Sequence, residues 1–144
     1  MPRRRPGALR AERLRPTAPR PHIRGLSSAT CHAIHLVERR SRHPAHSVGF
    51  TAKALNRYER FLAASRREDP FPDIEVSDCP GCTLNNVRHF RDVLEHVLRK
   101  LPRGARRELS RHLVPLDARY LRRTLPNPFA YPDQPWWHRR FDAD

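Results

Sequence analysis

Three cysteines, Cys31, Cys79 and Cys82, are the side chains of this sequence best suited to chemistry. Cys79 and Cys82 flank a Pro-Gly turn, and two thiolates at this spacing are typical of one half of a tetrahedral zinc site. Zinc needs two further nitrogen or sulfur ligands, and Cys31 and His35 lie one helical turn apart on a predicted helix. The sequence therefore predicts one structural zinc ion held by four ligands: Cys31, His35, Cys79 and Cys82.

Other interpretations of the cysteines remain open. A thiol redox site would use Cys79 as its nucleophile, but no strand–helix–strand pattern of the thioredoxin kind precedes it. The three cysteines could also be buried thiols that bind no metal. Only the pair Cys79 and Cys82 has a recognised zinc spacing, so another residue could replace one of the remaining ligands. The candidates for such a replacement are His32, Asp78 and His89.

A large positive charge is the second chemical feature. The formal net charge is +14, and arginine supplies 27 of the 29 basic residues. Eight of these arginines lie in the first 24 residues, together with five prolines and the single acidic residue Glu12. Because proline disfavours a helix, we expect residues 1–25 to form a disordered basic arm. A chain with this charge attracts polyanions, and nucleic acid is the leading candidate.

Basic residues also recur on one side of the predicted helices. A ridge along the outer face of the second predicted helix consists of Lys53, Arg57, Arg60 and Arg67. This ridge is either a phosphate-binding surface or an ordinary solvated face. Later in the chain, Tyr120 lies among arginines and could either stack on a base or fill the core. The residues predicted to bind nucleic acid are Arg3, Arg4, Arg5, Lys53, Arg57, Arg60, Arg67, Arg119, Arg122 and Arg123.

Helices must position these residues, and the sequence predicts an all-α fold. The pattern indicates a small bundle of about four to five helices, stapled by zinc, in a domain over residues 26–125. Ser28, or alternatively Ser27, should cap the first helix, Pro115 should end the fourth, and Asp117 should cap the fifth. The predicted helices cover residues 28–40, 48 or 51 to 66, 83–101, 105–113 and 118–125.

The third predicted helix, Thr83 to Leu101, should form the centre of the core. Its apolar residues recur at the spacing of a helix, so they share one broad face that must be buried. Arg91, Glu95 and Arg99 are placed to form i,i+4 ion pairs, which we expect on the outside of this helix.

Residues 126–144 differ in composition from the helical region. Prolines separate Phe129, Tyr131 and the pair Trp136 and Trp137, which predicts an extended strap rather than a helix. The large rings could dock onto the domain itself or onto a partner protein. Neighbouring side chains of an extended chain point in opposite directions, so one tryptophan could face each surface. Trp136 and Trp137 are the predicted partner-binding residues.

These features favour a non-enzymatic, zinc-stabilised basic protein that binds RNA or DNA mainly through phosphate contacts. The alternative is an adaptor that docks an acidic or other protein partner through the basic surface and the tryptophans. An enzyme has less support, because the sequence has no glycine-rich phosphate loop and no nucleophile elbow. No apolar stretch is long enough to span a membrane and no secretory signal is recognisable, so we expect a cytoplasmic protein.

Overall fold

The structure is a computed structural model that describes residues 22–43, 46–63 and 87–142. Over these ranges the chain forms four α-helices and a two-stranded sheet, so the predicted all-α class is confirmed. The predicted basic arm lies outside these ranges except for residues 22–25. The elements are α1 (Ser28–Arg40), α2 (Phe50–Ala63), α3 (Val87–Lys100), α4 (Arg103–Arg123), β1 (Thr124–Pro126) and β2 (Arg140–Asp142).

Helix α3 forms the centre of the core, as its apolar spacing predicts. It packs most extensively on α2, while α1 packs mainly on α4. The removal of these apolar side chains from water is the main force that holds the four helices together. The core includes Val87, Phe90, Val93, Leu94 and Val97 of α3, together with Ile34, Leu55, Tyr58, Leu109, Leu113 and Tyr120.

Helix α4 is continuous, so the prediction of two helices separated at Pro115 is wrong. Pro115 lies inside the helix and on its exposed side. The buried side chains keep their helical spacing before and after the proline, and their packing outweighs the loss of one backbone hydrogen bond. These buried residues are Leu109, Leu113, Leu116 and Tyr120.

Side chains satisfy the backbone N–H groups at the starts of two helices. Ser27, the predicted alternative to Ser28, caps α1, and its hydroxyl donates to Glu108 of α4 at 2.7 Å. The buried Glu38 of α1 accepts hydrogen bonds from the backbone N–H groups of Gly49 at 2.8 Å and Thr51 at 2.9 Å. Gly49 has a φ of 86°, which glycine adopts without strain. Both carboxylates also interact favourably with the positive end of a helix dipole.

One buried ion pair joins three helices. Arg91 of α3 is 5% exposed, and it donates to the two carboxylate oxygens of Asp117 in α4 at 2.9 and 3.0 Å. The Tyr58 hydroxyl of α2 donates to the same carboxylate at 2.9 Å. Burial alone lowers the pKa of Arg91, but the hydrogen bonds and charge of Asp117 outweigh it, so the pKa is raised. Burial and the charge of Asp117 raise the pKa of Tyr58, which keeps its hydroxyl protonated as a donor.

Two predictions about these residues are wrong. Arg91 pairs with Glu95 at 3.3 Å as expected, but it is buried rather than on the outside of α3. Asp117 does not cap a helix, because it lies inside α4 and binds Arg91. The two residues are 26 positions apart in the sequence, so no local pattern reveals that they meet.

The C-terminal strap folds back on the helices and ends in an antiparallel pairing of β2 with β1. Trp137 is buried, its Nε1 donates to Asp92 at 2.8 Å, and its carbonyl accepts from the Tyr120 hydroxyl at 3.0 Å. The Arg91 guanidinium lies 4.5 Å from the centre of the Trp137 ring, a cation–π contact. The strap is therefore part of the packed structure.

Replacing Asp117 with alanine should lower the free energy of unfolding by about 3 kcal/mol, because the buried Arg91 and Tyr58 lose their shared acceptor and Arg91 keeps only its contact with Glu95 at 3.3 Å. Tyr58→Phe removes one hydrogen bond and keeps the ring, so it should lower the same quantity by only about 1 kcal/mol. Urea unfolding followed by circular dichroism measures both effects.

Asp133 provides a matched control, since it is an exposed aspartate of the strap. Asp133→Ala should change the free energy of unfolding by less than about 0.5 kcal/mol. Equal effects of the two aspartate substitutions would contradict a stabilising role of the Arg91–Asp117 ion pair.

Candidate functional site

The predicted metal ligands fall into two groups. Cys31 is a buried free thiol whose sulfur accepts a hydrogen bond from the backbone N–H of Ile23 at 3.4 Å. His35 is half-buried, and its Nδ1 is buried without a hydrogen-bond partner among the described residues. Cys79 and Cys82 lie outside the described ranges.

A second histidine, His22, lies near Cys31 and is not among the predicted zinc ligands. The Nδ1 atom of His22 lies 3.9 Å from the Cys31 sulfur. In the described ranges, no three histidine, cysteine, aspartate or glutamate side chains converge as metal ligands. The four-ligand zinc site therefore remains a prediction, with His22 as a further neighbour of the thiol.

The basic ridge of α2 lies on the surface, as its spacing predicts. Lys53, Arg57 and Arg60 are all exposed. Lys53 lies over the Phe50 ring, with Nζ 5.6 Å from the ring centre. Among the residues that the structure describes, no carboxylate lies within ion-pair distance of these three cations. Their charge is therefore available to a ligand in solution.

The basic residues in the last turn of α4 have mixed environments. Arg119 donates to the carbonyl of Leu62 at 3.0 Å, while Arg123 donates to the carbonyl of Phe61 and lies over its ring. Both carbonyls are at the C-terminal end of α2, where a helix leaves acceptors without intrahelical partners. These two arginines therefore stabilise α2, and Arg119, like Arg122, is also exposed to solvent.

Tyr120 is 1% exposed, so it fills the core and offers no face to a base. The remaining predicted nucleic-acid contacts, Arg3, Arg4, Arg5 and Arg67, lie outside the described residues and stay predictions.

The two adjacent tryptophans of the strap differ in exposure. Trp137 belongs to the core, while Trp136 is half-buried and lines a surface groove. Their rings are perpendicular, with centroids 5.5 Å apart. Partner binding by these residues stays a prediction, and Trp136 is the one that solvent can reach.

A histidine cluster joins the loop before α2 to α3. The ring of His46 stacks on that of His96 with centroids 4.0 Å apart, and it lies 5.2 Å from the ring of His43. Burial, followed by the charges of the other histidines, lowers the pKa of His46 to about 4. Burial also lowers the pKa values of His89 and His96. The spacing of His89 and His96 in α3 is visible in the sequence, but no helical pattern predicts that a loop histidine stacks on His96.

Comparison of the chain with protein-family models, curated proteins and solved structures finds no match. None of the helices in the described ranges combines the length and apolar character needed to cross a membrane. Function is therefore inferred from the side chains and their geometry.

Acid should destabilise the protein through the histidine cluster. The pKa of His46 is about 4 in the fold, against an ordinary value of 6.5, so the unfolded chain binds the proton more readily. The stability contributed by neutral His46 is complete above about pH 6.5 and is lost as the pH falls to about 4. We expect the thermal midpoint to fall across this window in the wild type, and to fall less in His46→Gln.

His32→Gln is a suitable control, because His32 lies on α1 outside the cluster. It should retain the pH dependence of the wild type. If His46→Gln shows that same dependence, His46 is not a source of the acid sensitivity.

Proposed function

We propose that this protein binds RNA or DNA without strong sequence preference, mainly through phosphate contacts. The observation that carries the proposal is the row of exposed cations Lys53, Arg57 and Arg60 on α2, with no described carboxylate to neutralise it. Residues at this spacing share one helix face. Basic side chains on such a face displace counterions from phosphates, which drives non-specific binding.

The length of the ridge suits a nucleic-acid strand. The residues from Lys53 to Arg60 cover about 10 Å of helix at about 1.5 Å per residue. One strand carries a phosphate about every 3.4 Å along the axis, so about three phosphates can face the ridge. Arg119, at the C-terminal end of α2, continues the basic surface beyond Arg60.

The positions of the carboxylates also support the proposal. Several of them are held by neighbouring elements of the fold rather than lying beside the ridge. Negative charge that is committed to internal contacts does not repel a polyanion at that face as strongly as a nearby exposed carboxylate would. The carboxylates committed in this way are Glu38, Asp92, Glu108 and Asp117.

We further propose that a structural zinc ion joins α1 to the segment that contains Cys79 and Cys82. The free thiol of Cys31 and the unpartnered Nδ1 of His35 are compatible with ligand roles. Zinc would connect residues distant in the chain and stabilise the folded state. This role of zinc is structural and does not require the protein to be an enzyme.

Replacing Lys53, Arg57 and Arg60 together with glutamine should weaken binding to RNA and DNA. Because each lost phosphate contact removes about 0.7 to 0.9 from the slope, the slope of log affinity against log salt should become shallower by about 2. Fluorescence anisotropy with labelled oligonucleotides, repeated over a series of salt concentrations, measures this change.

A control variant with the same change in net charge replaces Arg103, Arg107 and Arg111, which are exposed on α4. It should retain more of the affinity and of the salt slope than the α2 variant. Equal losses would show that overall charge rather than the ridge governs binding, and no binding of the wild type at low salt would overturn the proposed function.

Purified protein should contain about one zinc ion per chain, and a chelator should lower its thermal midpoint, because the metal binds only the folded form. His35→Gln should reduce the zinc content, whereas His32→Gln on the same helix should not. Elemental analysis measures both, and a wild-type content below about half an equivalent, with unchanged stability in chelator, would contradict the site.

A further inference from the structure

A groove of about 650 Å³ lies between the end of α4 and the strap. This volume falls in the range of sites that hold small ligands or parts of larger ones. Most of the wall is formed by prolines and other apolar residues, and a single aromatic ring contributes to it. The lining residues are Leu121, Pro126, Asn127, Pro128, Ala130, Pro132, Trp136, Arg139 and Arg140.

The aromatic ring, that of Trp136, is held in a fixed position. Its ring centroid lies 5.9 Å from that of Tyr120 and 5.5 Å from that of Trp137, and both pairs of rings are nearly edge to face. The guanidinium of Arg91 lies 6.0 Å from its ring centre. Because these neighbours belong to the packed interior, Trp136 presents its accessible part to the groove without reorganisation, which lowers the entropic cost of stacking.

Two arginines, Arg139 and Arg140, line this groove. Arg139 lines it and is exposed, and the exposed Arg122 follows the lining residue Leu121 in α4. Among the described residues, no carboxylate is within ion-pair distance of Arg139 or Arg122. Arg140 is committed to the fold, because it donates to Thr124 Oγ1 at 2.8 Å. The groove therefore combines a flat apolar wall with unneutralised positive charge at its rim.

We propose that the groove binds an unpaired base of a single-stranded nucleic acid, which stacks on Trp136 while adjoining phosphates contact Arg139 and Arg122. This inference rests on the proposed function and adds a preference for single strands. A base offers an apolar π-face next to a negative phosphate, which matches the two features of the groove. A base inside a duplex cannot enter the groove unless it leaves the stack.

The basic ridge and the groove are connected through the end of α4. Arg119 reaches the C-terminal end of α2, where the ridge ends, and Arg122 lies in the same last turn of α4. A single strand that follows the ridge therefore meets these arginines before the groove. This continuity favours a nucleic acid over an unrelated small ligand as the occupant.

Two labelled oligonucleotides of equal length test the proposal with the full chain. One is an oligouridylate, and the other is an abasic strand with the same phosphates but no bases. At equal salt, the oligouridylate should bind about tenfold more tightly, which corresponds to one base–aromatic stack. Fluorescence anisotropy gives both affinities.

Two variants assign this difference to the groove. Ala130→Leu narrows the groove without adding an aromatic face or removing a core side chain, and Trp136→Leu removes the stacking ring. Each should weaken oligouridylate binding by about tenfold and leave abasic binding unchanged. Thermal unfolding checks the fold, and Ala130→Leu decides the outcome if Trp136→Leu does not fold. The control is Phe129→Leu, since Phe129 is 92% exposed but does not line the groove.

Equal binding of the two strands by the wild type would overturn the base site while leaving phosphate binding intact. Absence of binding to both strands at low salt would instead overturn the proposed function. A synthetic peptide with the acidic, apolar sequence of residues 68–78 tests whether a protein segment, rather than a nucleic acid, binds in the groove. The proposal also fails if Ala130→Leu weakens binding of this peptide but leaves oligouridylate binding unchanged.

Discussion

The ion pair between Arg91 and Asp117 is the interaction on which the rest of this structure depends. A guanidinium that is 5% exposed requires a carboxylate, because an unpaired charge in the interior costs several kcal/mol. Asp117 supplies that carboxylate from α4, and Tyr58 binds it from α2. Apolar packing tolerates small shifts between helices, whereas these directional contacts restrict α2, α3 and α4 to one arrangement.

The same part of α3 determines where the strap docks. Arg91 lies against the Trp137 ring, and the next residue, Asp92, accepts hydrogen bonds from Trp137 and from His138, both at 2.8 Å. One turn earlier, Arg88 donates to the carbonyl of Arg140 at 2.6 Å. The strap is thus held on α3 at Trp137 and at two residues that follow it, His138 and Arg140. The groove beside Trp136 is a product of this docking, since its walls come from the strap and from the end of α4.

Local patterns predicted much of the fold, and the exceptions have physical reasons. The apolar stripe of α3 and the Ser27 cap depend on spacing within one helix, so the sequence revealed both. The apolar residues of α4 keep their helical spacing on both sides of Pro115, but the proline indicated a break between two helices. The helix continues through Pro115 because packing of these residues outweighs the lost hydrogen bond. Asp92 and His138 are 46 positions apart, and a lone charged residue on a helix resembles a surface residue until its partner is known. The exposed basic ridge was therefore predictable, whereas the buried charges and the groove were not.

Some arginines do not offer the whole guanidinium to phosphates, because they donate hydrogen bonds to carbonyls at helix ends. Arg119 and Arg123 bind carbonyls at the end of α2, and Arg106 binds the carbonyls of Arg99 and Leu101 at the end of α3, both at 3.1 Å. At the starts of α1 and α2, glutamate carboxylates accept hydrogen bonds, because the first N–H groups of a helix lack intrahelical acceptors. Basic and acidic side chains therefore both stabilise helix ends, but the chain contains almost twice as many basic as acidic residues. Hydrogen bonds to carbonyls do not neutralise these cations, and the outer face of α2 carries three further cations with no described carboxylate within ion-pair distance.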